Sequence, residues 1–211
     1  MNPEILLDEL ERDALTEIVN IGVSRAAANL RKMIGQQVLL SVPSIDVVSQ
    51  SRAARLISER EISKLVAVRQ DFKGAFSGRA LLIFPHEKSL ELVRAVTGDE
   101  LSATELVEME HEALTETGNI ILNSCLATMA NMLRQSLTMT IPVVIRGDSA
   151  TLFEVWRDAP ADAPVLFLYI DFTVRDRNIN GYIAMLMNIP SLVAVKELVA
   201  AFIERVVGGD D

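Results

Sequence analysis

The sequence has a single cysteine, Cys125, in 211 residues, so no disulfide can form within the chain. It lies on the apolar side of a predicted helix with no basic neighbour. That is the setting of a buried thiol, not of a nucleophile. No uncharged apolar run reaches the ~20 residues that a membrane span needs. The start, Met1-Asn2-Pro3-Glu4, has no basic n-region and no apolar h-region, which predicts no signal peptide and a cytoplasmic protein. Cations are few and scattered: 20 Lys and Arg against 29 Asp and Glu, for a net charge of −9. Phosphate backbones need Lys and Arg gathered on one face, so a nucleic-acid partner is not expected, nor an anionic membrane surface. Walker-type glycine loops, Ser–His–Asp or Cys–His pairings and metal-ligand spacings are missing as well. The two histidines, His86 and His111, are isolated and read as structural or solvated.

Half of the residues are hydrophobic, enough for a large core. The chain is organised around a stretch that occurs twice. The first copy runs from Asp13 through Ala14-Leu15-Thr16-Glu17 to Asn20-Ile21. The second runs from Glu112 through Ala113-Leu114-Thr115-Glu116 to Asn119-Ile120. The offset is 99 residues, and 22 residues separate Asn20 from Pro43 and Asn119 from Pro142. On a helix, positions i, i+4 and i+7 share a face. Asp13, Glu17, Asn20 and Ser24 therefore line one stripe, with Leu15, Ile18, Gly22, Ala26 and Met33 behind it. Glu112, Glu116, Asn119 and Asn123 line the other, with Leu114, Ile121, Cys125 and Met132 behind. A lone stripe of this kind is ordinarily a solvated face. Its return at a fixed offset, with Asn at a mediocre helical position both times, asks for a reason.

Around these stripes the pattern predicts an α/β (α+β) fold, each half running helix, strand, short helix, hairpin, helix. In the first half the helix spans Asp8–Ile34, stopped by Gly35, and the strand Val38–Val48 contains Pro43. A short helix capped by Ser51 runs to Glu59. Strands at Lys64–Phe76 and Arg79–Phe84 flank Ser77-Gly78, and a helix covers Glu87–Val96. The second half repeats this with a helix over Thr104–Leu137 and a strand over Thr140–Arg146 that contains Pro142. A short helix or turn follows at Thr151–Arg157. Strands at Val165–Val174 and Tyr182–Asn188 flank a turn at Asn178–Gly181, and a last helix is capped by Ser191 and reaches Val207. The short linker at Asp99–Thr104 predicts one domain over residues 1–211, made of two repeats (8–98 and 104–207) about a pseudo-two-fold axis. A central antiparallel-rich sheet would carry the two long helices on one face. The tail after Gly208 is expected to fray.

With these residues the chain resembles the CheC-type phosphatases of chemotaxis, a family that includes CheC, CheX and FliY. The family signature is Asp or Ser, three residues, Glu, two residues, Asn, 22 residues, Pro. Asp13, Glu17, Asn20 and Pro43 match it in full. Glu116, Asn119 and Pro142 match it in the second copy, where Glu112 replaces Asp or Ser. Val19 stands where the family often has Gly; Gly118 keeps it, and Ile121 replaces a later one. Two sites and no counterpart of the added FliY segments resemble CheC more than CheX.

The resemblance implies a hydrolase of two-component signalling that removes the aspartyl phosphate of a phosphorylated, CheY-like response regulator. In that reading Asn20 and Asn119 orient the attacking water, and Glu17 and Glu116 pair with a lysine of the regulator. The chain needs no cofactor of its own, and the regulator supplies the Mg²⁺. The chemistry suits an amide, whose carbonyl accepts from water while its amino group donates, as in GTP hydrolysis. The first site carries the complete signature and Arg25, Arg31 and Lys32. The second has Glu108, Glu110 and Glu112 upstream. These charges make the Asn20 site the expected stronger one toward an acidic partner. Three alternatives stay open: a binding module for the receptor deamidase CheD, a scaffold like the middle domain of FliM, and a phosphatase for a receiver outside chemotaxis.

Overall fold

The computed structural model describes residues 6–61, 64–98, 102–154, 163–174 and 177–208. The first long helix, α1 (Glu9–Ile34), begins and ends as its sequence dictates. Asp8 Oδ1 accepts the Glu11 N–H and the Glu11 carboxylate accepts the Asp8 N–H, each at 2.8 Å, which closes a capping box. Gly35 ends the helix at φ 70°, a left-handed conformation open to glycine. Strand β1 (Val38–Ser49) follows. The short helix α2 (Gln50–Ser58) is capped by Ser49, whose Oγ accepts the Arg52 N–H at 3.2 Å, and not by Ser51 as expected. The hairpin β2 (Leu65–Gly74) and β3 (Gly78–Pro85) leads into α3 (His86–Thr97).

The second half departs more from its sequence pattern. Helix α4 (Ala103–Met132) starts with a capping box between Ser102 and Glu105. It stops five residues before the predicted end at Leu137, with Arg134 at φ 56° and no glycine or proline to announce the break. The single strand expected over Thr140–Arg146 is two strands, β4 (Leu137–Met139) and β5 (Val143–Gly147), interrupted at Ile141-Pro142. Helix α5 (Ser149–Glu154) starts two residues before its predicted start, and Val155–Arg157 lie outside the described residues.

Strands β6 (Pro164–Val174) and β7 (Arg177–Met187) form the second hairpin. The turn expected at Asn178–Gly181 is strand, paired from Asn178 with Thr173 to Gly181 with Ile170. Its turn-forming residues serve the ladder instead. Asn180 Nδ2 donates to Asp171 Oδ1 at 2.9 Å, and Gly181 leaves room for the Phe84 ring, 2.7 Å from where a Cβ would stand. Helix α6 (Ile189–Gly208) is capped by Asn188, not Ser191: Asn188 Oδ1 accepts the Ser191 N–H, and Ser191 Oγ accepts the Ser77 N–H.

All strand pairs are antiparallel, in the order β1-β6-β7-β3-β2-β4, with β5 also on β2. Exchanging the two halves leaves this order unchanged. Each half's first strand pairs with the other half's hairpin, so neither half completes its sheet alone. One face packs α1, α3, α4 and α6 over Val66, Val68, Leu82, Leu168, Phe172 and Ile183. The other face carries α2 and α5 on a second cluster that includes Ala53, Ile57, Leu152, Phe153, Phe167 and Tyr182. The two long helices thus lie on one face as expected, and the sheet is covered on both.

Helices α1 and α4 touch backbone to backbone. A Cβ on Gly22 would come 2.9 Å from Cys125 Cα and 3.2 Å from the Ser124 carbonyl. Cys125 is fully buried there, and burial pushes its thiol up to about 12. It is the inert packed thiol that its surroundings in sequence suggest.

Candidate functional site

The two predicted stripes lie on α1 and α4, on the sides turned away from the sheet. Asp13, Glu17 and Ser24 are exposed on α1, while Leu15, Ile18, Gly22 and Ala26 behind them are buried; Met33, near the helix end, is exposed. Glu112 and Glu116 are exposed on α4, with Leu114, Ile121 and Cys125 buried behind. Asn20 and Asn119 sit at the border between the two environments, each half-buried. Helical periodicity alone places them so, because the position three residues after an exposed Glu turns about 60° toward the core.

The two asparagines are engaged differently. Asn20 is bound at both ends to one backbone residue of β1. Its Nδ2 donates to the Val42 carbonyl at 3.0 Å, and its Oδ1 accepts the Val42 N–H at 2.9 Å. Val42 sits in the break of register between Ser41 and Ser44, where β1 loses its pairing to β6 beside Pro43. A proline has no N–H, so the strand bulges, and the amide groups left without a ladder partner need another one. Asn20 supplies it. This is a physical reason for the fixed spacing from Asn to Pro: helix α1 and strand β1 return the chain to the same point.

Asn119 makes no such clamp. The residue equivalent to Val42 is Ile141, which lies at the break between β4 and β5 with 84% of its surface exposed. The strand break beside Pro142 is served by Gln70 of β2, whose Nε2 donates to the Thr140 carbonyl at 2.9 Å. The same Nε2 donates to Asn123 Oδ1 at 2.9 Å, and Asn123 Nδ2 donates to Asn119 Oδ1 at 2.5 Å. Gly118, next to Asn119, lies against Val68 of β2; a Cβ there would be 2.5 Å from Val68 Cγ1.

The charges around the helices also differ from a flat reading of the sequence. Glu110 is not part of an acidic surface. It is 4% exposed and held by Arg146 at 2.7 Å, with His86 Nδ1 at 3.6 Å and Ser89 Oγ at 3.2 Å. Arg25 reaches across to Thr128 Oγ1 of α4 at 3.2 Å. Glu108 and Glu112 remain exposed, as do Arg31 and Lys32. Arg31 and Lys32 line a cleft between the end of α1 and the edge strand β1, with Ser24, Val38 and Leu40. Among the described residues, no group of three or more His, Cys, Asp or Glu is placed to hold a metal ion. No helix among them is long and apolar enough to cross a membrane.

Gln70 is the site residue that helix spacing could not supply. Its signal lies in the strand, where Val66, Val68, Gln70 and Phe72 alternate toward the helices and one of the four is an amide.

Two family models match the chain, one over each stripe. The family "Chemotaxis phosphatase CheX" matches residues 66–161, and the "CheC-like family" matches residues 10–46. Between them the two matches contain both stripes and both prolines. The chain is 26% identical over 140 residues to the flagellar motor switch phosphatase FliY of Bacillus subtilis (strain 168), covering 65% of this chain and 36% of that protein. It is 23% identical over 141 residues to the CheY-P phosphatase CheC of the same organism, covering 65% of this chain and 67% of the other. The match thus spans about a third of that FliY.

Among solved structures, Thermotoga maritima FliY superposes with a TM-score of 0.72 at 18% identity, over 93% of this chain and 98% of that one. A chain of the FliM–SpeE complex from H. pylori superposes at 0.64 and 10% identity, over 92% of this chain and 97% of that one. Those two likenesses concern the fold. Both family matches fall on the repeated Glu–Asn stripes, and with the two curated relatives they support the CheC-type chemotaxis phosphatase family for this chain.

Proposed function

We propose that the protein hydrolyses the aspartyl phosphate of a phosphorylated, CheY-like response regulator. The observation that carries this reading is Asn119: a half-buried amide one helical turn from the exposed Glu116, with its carbonyl held and its amino group unclaimed among the described residues. An acyl phosphate is already activated, so the catalyst has mainly to place water in line with phosphorus. Water oxygen bonds to phosphorus as the bond from phosphorus to the aspartyl oxygen breaks. The products are the free carboxylate and inorganic phosphate, and the water's proton goes to phosphate or bulk solvent. An amide suits this task because it accepts from water and donates to a phosphoryl oxygen, whereas a carboxylate would repel that oxygen.

Glu116 and Glu17 are exposed and free to pair with a lysine of the regulator, setting the register. Asp13 and Glu112 extend that acidic edge. The Mg²⁺ of the reaction belongs to the regulator, and the chain contributes no cofactor of its own. Asn20, bound to Val42 by one N–H and one lone pair of its oxygen, keeps the other N–H and the other lone pair, so both asparagines can serve a phosphoryl oxygen and water. Pro43 and Pro142 act at a distance, by breaking the strands beside each asparagine.

The test is the decay of phosphorylated CheY from the same organism, alone, with wild type, and with the Asn20→Ala, Asn119→Ala double variant. Faster decay with wild type, lost in the double variant, is expected. Decay that wild type leaves unchanged sinks the phosphatase reading and moves the weight to a CheD-binding or FliM-like scaffold role.

A further inference from the structure

We propose that Gln70 and Asn123 are positioning residues that hold the Asn119 side chain in one orientation, the one the second site uses. The proposal rests on the phosphatase reading above. An asparagine amide can turn over and exchange its oxygen and nitrogen with little change of shape, so its direction is set by its neighbours. Here the direction propagates from the backbone. The Thr140 carbonyl can only accept, so it holds the Gln70 Nε2 toward itself. That nitrogen also meets Asn123 and obliges Asn123 to present its oxygen. Asn123 then has only its amino group for Asn119, which must answer with Oδ1. The Asn119 amino group is left pointing away from the relay, ready to donate to a phosphoryl oxygen. One lone pair of Oδ1 is left for the attacking water.

The first half lacks every part of this relay. Ser24 stands in place of Asn123, and at the matching register of β6 the core residue is Ile170, not a glutamine. There the backbone of Val42 orients Asn20 directly. The bond from Gln70 to Thr140 serves the strand break, and it leaves the second bond, to Asn123, unexplained. Gln70 is 1% exposed in an apolar layer, and its Oε1 is buried with no hydrogen-bond partner among the described residues. The fold tolerates an aliphatic residue at the equivalent place. A buried amide kept with half of its capacity unsatisfied is explained by what its other half orients.

The test gives the second half the residues of the first, Gln70→Ile and Asn123→Ser, and adds Asn123→Asp. Two quantities are read: steady-state dephosphorylation of the receiver, and the Asn119 side-chain amide resonances by NMR, assigned through Asn119→Ala. The relay predicts about a tenfold fall in kcat for each variant with KM within about twofold, because orientation is lost and docking is not. It also predicts that the Asn119 amide pair moves in Gln70→Ile, although Asn123 stands between the two residues in the relay. In Asn123→Asp the amide turns over to donate to the new carboxylate, and its resonances shift furthest.

If wild type accelerates decay and Gln70→Ile keeps kcat within twofold, the relay is wrong and the phosphatase reading stands. A joint loss of kcat and KM with lowered thermal stability makes Gln70 merely structural and also overturns it. If wild type has no activity, the phosphatase reading falls, and an Asn119 amide unmoved by Gln70→Ile disposes of the relay on its own.

Discussion

Replacing Asn20 by alanine removes a clamp on the backbone of Val42. The side chain makes two hydrogen bonds to Val42, at 2.9 and 3.0 Å, and Val42 itself is 1% exposed. Each such bond contributes about 1 kcal/mol net, and a buried amide group left unpaired costs about 1–3 kcal/mol. Asn20 is only half-buried, so water can follow its removal and lower the cost. A loss of about 2–3 kcal/mol results. For a chain of this size that is about 4–12 °C in Tm. Asn119→Ala forfeits one bond accepted from Asn123 and should cost about 1 kcal/mol or less. Urea unfolding followed by circular dichroism measures both, and an unchanged m-value confirms that the difference is stability. Asn20→Asp is the informative control. A carboxylate still accepts the Val42 N–H but repels the Val42 carbonyl, so it should fall below wild type as well. Equal stabilities for Asn20→Ala and Asn119→Ala would refute the clamp.

Gly118→Ala gains about 1 kcal/mol of helix propensity but drives a Cβ to within 2.6 Å of Val68 Cβ, which cannot swing aside. Net destabilisation of about 1–3 kcal/mol in urea unfolding is expected, and a stabilised variant would show that α4 does not rest on β2. Cys125, with its thiol pushed up to about 12 by burial, should react with a thiol reagent at pH 8 at least about 100-fold more slowly in the native protein than in urea. Comparable rates would mean that the junction of α1 and α4 opens. The hydrogen bonds from Arg79 hold the Asp71 carboxyl below the usual carboxylate range, against partial desolvation that raises it; the charges of Arg79 and Arg69 add to the lowering. Its contribution to stability is therefore present above that range and lost as pH falls through the lowered value. Arg79→Met should raise the Asp71 titration seen by NMR. Arg146→Met leaves Glu110 buried with His86 and Ser89 as its partners among the described residues, and a loss of about 3 kcal/mol is expected in thermal or urea unfolding.

Much of the architecture was legible because it is local. Asp8 with Glu11 and Ser102 with Glu105 are capping boxes in which every partner lies three residues away. The stripes, too, follow from helical spacing alone. The errors fall where the deciding contact comes from elsewhere in the chain. Asn178, Asn180 and Gly181 look like a turn and form a strand, because Thr173, Asp171 and Phe84 supply their partners across the sheet. Ser191 looks like a helix cap and instead receives an N–H from Ser77, more than a hundred residues earlier in the chain. Glu110 looks like part of an acidic run and is buried against Arg146.

By itself the sequence determined the two long helices, their repeat at a fixed offset, and the acid–Glu–Asn face on each, since helical periodicity and end capping are decided within a few residues. Only the tertiary structure decided that the halves exchange their first strands, because pairing energy depends on which edges meet and not on order along the chain. It also decided what two identical asparagines do. One meets the unpaired backbone of Val42 and closes on it. The other meets Asn123, itself oriented by Gln70 from a strand of the opposite half, and keeps its amino group free. Hydrogen-bonding capacity is a property of the residue type; which capacity remains for a partner depends on what the fold brings alongside.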